Sequence, residues 1–254
     1  MKPVLLTVGK LKIYSSGTFM ALALIVGGLF YYFAARSRGV KTTQVFDTLL
    51  YVVVAGLIGS RLGYYLIYRD EFRHLGQFFL FWQGGFVALP GLILALALFI
   101  YLRRQQGEPI WKVLDILGLS FLLGMTIGHF GCYLASCTVG RPWTGFLAVE
   151  GLYPVDLFGA ILMLLAFAIL LVIWLSPRTR EGIVFYLAIE SYLLLELLLK
   201  TLQAQFGNSI SKVESIVYLG LSVVAYLIFW WQFGPRWQAA LSRLGKLRQP
   251  PTNL

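Results

Sequence analysis

The chain has 254 residues, of which 59% are hydrophobic and only 13% charged, with a mean hydropathy of +0.77 and a formal charge of +10. A soluble core of this size cannot use so much apolar side chain, so a water-soluble globular class is excluded and an integral membrane protein is indicated. Nearly all of the positive charge lies between the apolar runs, which excludes nucleic acid as a partner and points to anionic lipid head groups instead.

In chain order the apolar runs are Phe19–Phe33, Phe46–Tyr68, Phe78–Leu102, Val113–Ala135, Val155–Leu175, Ile183–Leu202 and Ser215–Phe233. Each approaches the roughly 20 residues that a helix needs to cross the hydrocarbon. The expected fold is therefore an all-α polytopic membrane protein with about seven transmembrane helices. It forms one membrane domain, residues 1–235, followed by a basic cytoplasmic tail, residues 236–254. No small-residue cleavage pattern follows the first run, so the N-terminus is expected to be kept. Lys and Arg in alternate connections number twelve on one side, Arg36 to Arg248, and seven on the other, Lys2 to Lys212. By the positive-inside rule the C-terminus is expected in the cytoplasm and the N-terminus outside.

Polar groups within the spans carry the functional signal, because ionisable side chains in lipid usually face a partner, a cavity or a substrate path. The second span holds Arg61, the fourth His129, and the sixth Glu190, Glu196 and Lys200. Counted by helical rise from the cytoplasmic edge, Arg61, His129, Glu196 and Lys200 lie roughly 21–27 Å deep, all in the outer half of the bilayer. A common depth suits a cavity open to the outer leaflet. The alternative is that Arg61 and Lys200 snorkel outward while Glu196 pairs with Lys200 at i,i+4.

The third run contains Trp82-Gln83-Gly84-Gly85 and then Pro90-Gly91, which should make the helix start late, kink or unwind. The fourth ends in Gly128-His129-Phe130-Gly131-Cys132-Tyr133-Leu134-Ala135-Ser136-Cys137-Thr138-Val139-Gly140-Arg141-Pro142, which packs a histidine, two thiols and an arginine into one short segment. His129 suits either proton transfer or a hydrogen bond within the bundle. Cys132 and Cys137 are too far apart on a continuous helix for a disulfide, so bridging requires the helix to end near Ser136; otherwise they pack as small apolar residues. No metal site is expected, because His129, Cys132 and Cys137 lack a fourth ligand at suitable spacing. Asp115 reads as a helix-entry residue at the cytoplasmic boundary and Asp156 flanks the outer side.

Several of these segments stand in the order found in one family. Pro3-Val4-Leu5-Leu6-Thr7-Val8-Gly9 with Ile13-Tyr14-Ser15-Ser16-Gly17, Ser60-Arg61-Leu62-Gly63-Tyr64, Trp82-Gln83-Gly84-Gly85, Asp115 with the Gly128–Leu134 segment and Gly140-Arg141-Pro142, and Tyr153-Pro154-Val155-Asp156-Leu157-Phe158 together resemble the prolipoprotein diacylglyceryl transferase family. Against that family's pattern His129 takes an arginine position, Cys132 an asparagine position, Ala135 and Cys137 those of a later asparagine and glutamate, and Leu89 a histidine position. Ser16 takes a tyrosine position, and Glu196 with Lys200 reverses an arginine–glutamate pair.

The resemblance implies an enzyme of the bacterial inner membrane that moves the diacylglyceryl group of phosphatidylglycerol onto the lipobox cysteine of an exported preprotein, with glycerol phosphate leaving. It implies His129, Arg141 and Glu196 as catalytic residues. It implies Arg61, Gly84, Gly85, Gly131, Cys132, Cys137, Gly140 and Lys200 as substrate-binding residues, with no cofactor. The other reading is a catalytically degenerate relative that holds lipid as a membrane subunit or scaffold, alongside another membrane subunit as partner.

Overall fold

The computed structural model describes residues 4–8, 11–41, 45–69, 78, 87–145, 147–204 and 209–247. A hairpin of β1 (Val4–Val8) and β2 (Leu11–Tyr14), antiparallel, precedes seven helices: α1 (Ser15–Ser37), α2 (Val45–Ile67), α3 (Ala88–Gln105), α4 (Ile110–Ala135), α5 (Val155–Leu175), α6 (Ile183–Thr201) and α7 (Ser209–Leu247). Each expected apolar run thus contains a helix, and the hairpin is an addition that the apolar pattern did not announce. Among the described residues, six helices are long and apolar enough to cross a membrane. The remaining one, α6, carries Glu190, Glu196 and Lys200 within its 19 residues.

Helix ends follow local chemistry. Helix α3 starts at Ala88, directly after Val87 in an extended conformation, with Pro90 in the first turn where a missing N–H has no partner to lose. Gly39 and Gly107, at φ +71° and +70°, close α1 and α3 in the left-handed region that glycine enters without strain. At the end of α4 Ser136 takes that conformation, φ +57°, and the N–H groups of Cys137 and Ser136 donate to Cys132 O at 3.0 Å and Tyr133 O at 3.3 Å. That is a Schellman ending on a non-glycine residue. The expected boundary at residue 235 falls inside α7, which continues unbroken to Leu247.

Packing divides the chain into two compact units, Met1–Gly27 with Gly118–Leu254 as unit 1 and Gly28–Leu117 as unit 2. In unit 2, α2 and α3 approach through small residues. A methyl group on Gly59 would lie 2.9 Å from Pro90 O, on Gly63 2.4 Å from Pro90 Cγ, and on Gly91 2.6 Å from Gly56 O. Gly56, Gly59, Ser60 and Gly63 form one face at helical spacing, which lets backbones meet closely where no hydrophobic effect drives helices together in lipid. In unit 1 the part of α4 from Gly118 onward packs on α6: the Phe121 and Tyr192 rings meet edge to face at 4.9 Å, and a methyl on Gly118 would press on Ala188 Cβ at 3.0 Å.

Candidate active site

His129 sits near the end of α4, Asp156 in the first turn of α5 and Glu196 on the last turns of α6, all in unit 1. Their side chains converge. Nε2 of His129 is 3.2 Å from Glu196 Oε1, and Nδ1 is 3.6 Å from Asp156 Oδ1. The three side chains are only 12%, 8% and 14% exposed, so their polar groups face one another rather than water. A carboxylate offers only lone pairs, so the short contact to Glu196 is made by an N–H on Nε2.

Asp156 is itself held in place. The Thr138 backbone N–H donates to its Oδ2 at 3.2 Å and the Thr138 hydroxyl donates to its Oδ1 at 3.1 Å. Its place in the first turn of α5 adds the favourable helix-terminus field. Thr138 reaches it because α4 stops at Ala135 and the chain reverses through Ser136. Gly159, one turn along α5 from Asp156, leaves room for the imidazole, since a methyl there would lie 2.7 Å from His129 Nδ1.

The segment after α4 is stitched to its neighbours by backbone bonds. Arg141 N–H donates to Leu202 O at 2.9 Å, Ala204 N–H to Val139 O at 2.9 Å, and Tyr153 N–H to Arg141 O at 3.0 Å. Gly140 is required at this crossing, because a methyl group would lie 2.0 Å from Tyr153 O. A cleft of about 130 Å³ opens beside it, lined among others by Tyr133, Ser136, Thr138, Gly140, Tyr153 and Asp156. Trp143 stacks on Tyr153 at 4.5 Å near its rim.

The structure distributes the expected site residues unevenly. His129 and Glu196 meet. Lys200 does not pair with Glu196 at i,i+4: it donates to Glu214 of α7 and lies 5.4 Å from the Tyr218 ring, while Glu196 turns to α4. Arg141 is exposed, with Nε donating to Gln203 O at 3.4 Å. Cys132 is half-buried and Cys137 exposed, both as free thiols. Gly131 is a packing seat for Phe19, whose Cβ would be 2.2 Å from a methyl there. Arg61 lies in unit 2, buried on α2, with Nε donating to Phe78 O at 3.1 Å and its guanidinium 5.9 Å from the Tyr64 ring centre. Gly84 and Gly85 lie outside the described residues.

Asp156, Thr138, Gly159 and Glu214 are the residues that spacing alone did not assign to the site. Asp156 had a signal, an acid at the start of a very apolar span. Glu214 had none, because its partner is 14 residues away on another helix.

Comparison with known proteins agrees in extent with the chain. The sequence profile of the prolipoprotein diacylglyceryl transferase family matches residues 3–231. The phosphatidylglycerol–prolipoprotein diacylglyceryl transferase of Trichormus variabilis is 27% identical over 253 residues, covering 89% of each chain. Its counterpart in Clostridium tetani is 25% identical over 243 residues, covering 90% of this chain and 96% of that protein. That of Thermosynechococcus vestitus is 33% identical over 131 residues, about half of each chain.

Proposed function

Because the chain belongs to the prolipoprotein diacylglyceryl transferase family, we propose that it transfers the diacylglyceryl group of phosphatidylglycerol to the cysteine thiol of an exported preprotein. It is a multi-pass protein of the bacterial inner membrane. The observation that carries the reading is His129 bracketed by Asp156 and Glu196 at the edge of a cleft. The scaffold reading has no comparable feature to explain.

The reaction forms a carbon–sulfur bond and breaks the bond between the glyceryl carbon and phosphate oxygen, so glycerol phosphate departs with the electron pair. Two tasks follow: removal of the thiol proton and stabilisation of the leaving phosphate. The proton goes to the carboxylate of Glu196, on a lone pair that the N–H of His129 does not use, and His129 holds that carboxylate in place. Asp156, anchored by Thr138, orients the imidazole as a positioning residue. Arg141, exposed beside the cleft, meets the phosphate, for which a forked guanidinium is suited. Lys200, bound to Glu214, adds positive charge on the same helix as Glu196. Arg61 is kept as a phosphate ligand on the family likeness of its segment. Gly140 lines the cleft wall, and Cys132, Cys137, Gly131, Gly84 and Gly85 are kept as further substrate-binding positions on the family likeness of their segments.

The test is purified protein in phosphatidylglycerol vesicles with a lipobox peptide. A peptide heavier by one diacylglyceryl group, by mass spectrometry, is the expected product. Absence of that product while an active family enzyme works in the same vesicles overturns the proposal.

A further inference from the structure

Unit 2 holds a second cluster that the transfer reaction does not use. Where α2 begins and α3 ends, a cleft of about 560 Å³ is lined by Lys41, Asp47, Thr48, Tyr51, Gln105 and Gln106, with Leu102 at its wall. Beside it stands Arg103, which is 0% exposed. Its Nη1 donates to Gln106 Oε1 at 2.9 Å, and Gln106 is itself part of the cleft lining. The guanidinium carbon lies 5.6 Å from the Tyr31 ring centre and 5.8 Å from that of Phe99.

The guanidinium is not otherwise satisfied. Nε and Nη2 of Arg103 are buried without a hydrogen-bond partner, and among the described residues no carboxylate forms an ion pair with it. The nearby Glu108 is engaged elsewhere: its carboxylate accepts the Lys41 backbone N–H at 3.0 Å. Burying a charge with two idle N–H edges is costly, and ring faces offset only part of that cost. Such a group persists where an anion can reach it.

We propose that this cleft binds a phosphate group, Gln106 swinging aside so that Arg103 takes it through the freed Nη1 and the adjoining idle Nη2, with Lys41 and Thr48 adding a second cation and a hydroxyl. Arginine matches phosphate oxygens in a forked geometry, and the cleft has the size of an ordinary small-ligand site. The surroundings name the source. Tyr51 and Tyr101 are each 57% exposed at this level, and Phe46 and Leu50 are each 61% exposed beside them. Exposed tyrosines at the ends of apolar helices mark the head-group layer, so the phosphate is that of an anionic phospholipid whose chains lie along α2.

The site is independent of the transfer reaction, and its test reads binding rather than turnover. Full-length protein is purified in uncharged detergent, phosphatidylglycerol is titrated in, and retained lipids are counted by native mass spectrometry for the wild type, Arg103→Met and Lys41→Gln. The wild type should retain one more lipid than Arg103→Met, with affinity for it weakened roughly tenfold or more in the variant. Lys41→Gln, at an exposed position, should weaken it several-fold. Addition of inorganic phosphate separates the sources: the extra lipid persists if the site reads a lipid head group and is displaced if it takes the free anion, and the phosphate site stands in both cases. Equal retention in the wild type and Arg103→Met overturns the proposal; should Arg103→Met not fold, equal retention in Lys41→Gln does so.

Discussion

At the scale of single residues, the geometry of His129 rests on two neighbours that do no chemistry themselves. Gly159→Ala places a methyl 2.7 Å from Nδ1 and 3.0 Å from Leu199 Cδ1, so the ring must move by several tenths of an ångström or more. A misplacement of about 1 Å in a reacting group costs roughly a hundredfold in rate, which is the loss expected in kcat for transfer. Asp156→Asn keeps the side-chain shape and one acceptor for Thr138 but removes the charge facing Nδ1. It should lower kcat with little change in KM, measured on the same peptide and vesicles. Unchanged kcat in both variants would detach Asp156 and Gly159 from the site. Part of this was legible beforehand: His129 and Glu196 were singled out because charge inside an apolar span asks for a partner. The actual partners were not. Glu196 and Lys200 stand at i,i+4, the spacing of a helix-surface pair, yet each turns to a different neighbouring helix, α4 and α7. Spacing along one helix says which residues share a face and cannot say what that face meets.

At the scale of elements, α2 and α3 depend on close approach rather than on large side chains. Gly63→Ala sets a methyl 2.4 Å from Cγ and 2.8 Å from Cβ of Pro90, a ring that cannot swing away, so the helices must separate. The expected penalty is about 1–3 kcal/mol, seen as a lower melting temperature in detergent, whereas Gly220→Ala, with open space around its α-carbon, should leave that temperature unchanged. The start of α3 at Ala88, two residues before Pro90, was legible, because proline acts through the backbone and needs no knowledge of the fold. The β1–β2 hairpin was not, since its few residues carry little periodic pattern against the long apolar runs that follow. The end of α4 lies between these cases. A stop near Ser136 was named as the condition for Cys132 and Cys137 to meet. The helix does stop there, through a left-handed serine, and the thiols remain free.

At the scale of the whole molecule, the distribution of basic residues makes a claim about sidedness that a free thiol can test. Twelve Lys and Arg on one set of connections against seven on the other predict that the segment between α4 and α5 faces outward. An acceptor thiol on an exported preprotein would have to be met on that face. Cys137 lies in this segment, exposed and unbridged, while Cys132 is half-buried on α4. A membrane-impermeant maleimide added to intact spheroplasts should therefore label the wild type once, and Cys137→Ser should abolish the label. Labelling only after the membrane is opened would place the His129 cleft on the cytoplasmic side. The cleft and the thiol are tied together, because Ser136 and Thr138, which flank Cys137, both line it. The same measurement thus reports the side from which an acceptor peptide must arrive, and an inward-facing Cys137 would be incompatible with transfer to an exported chain.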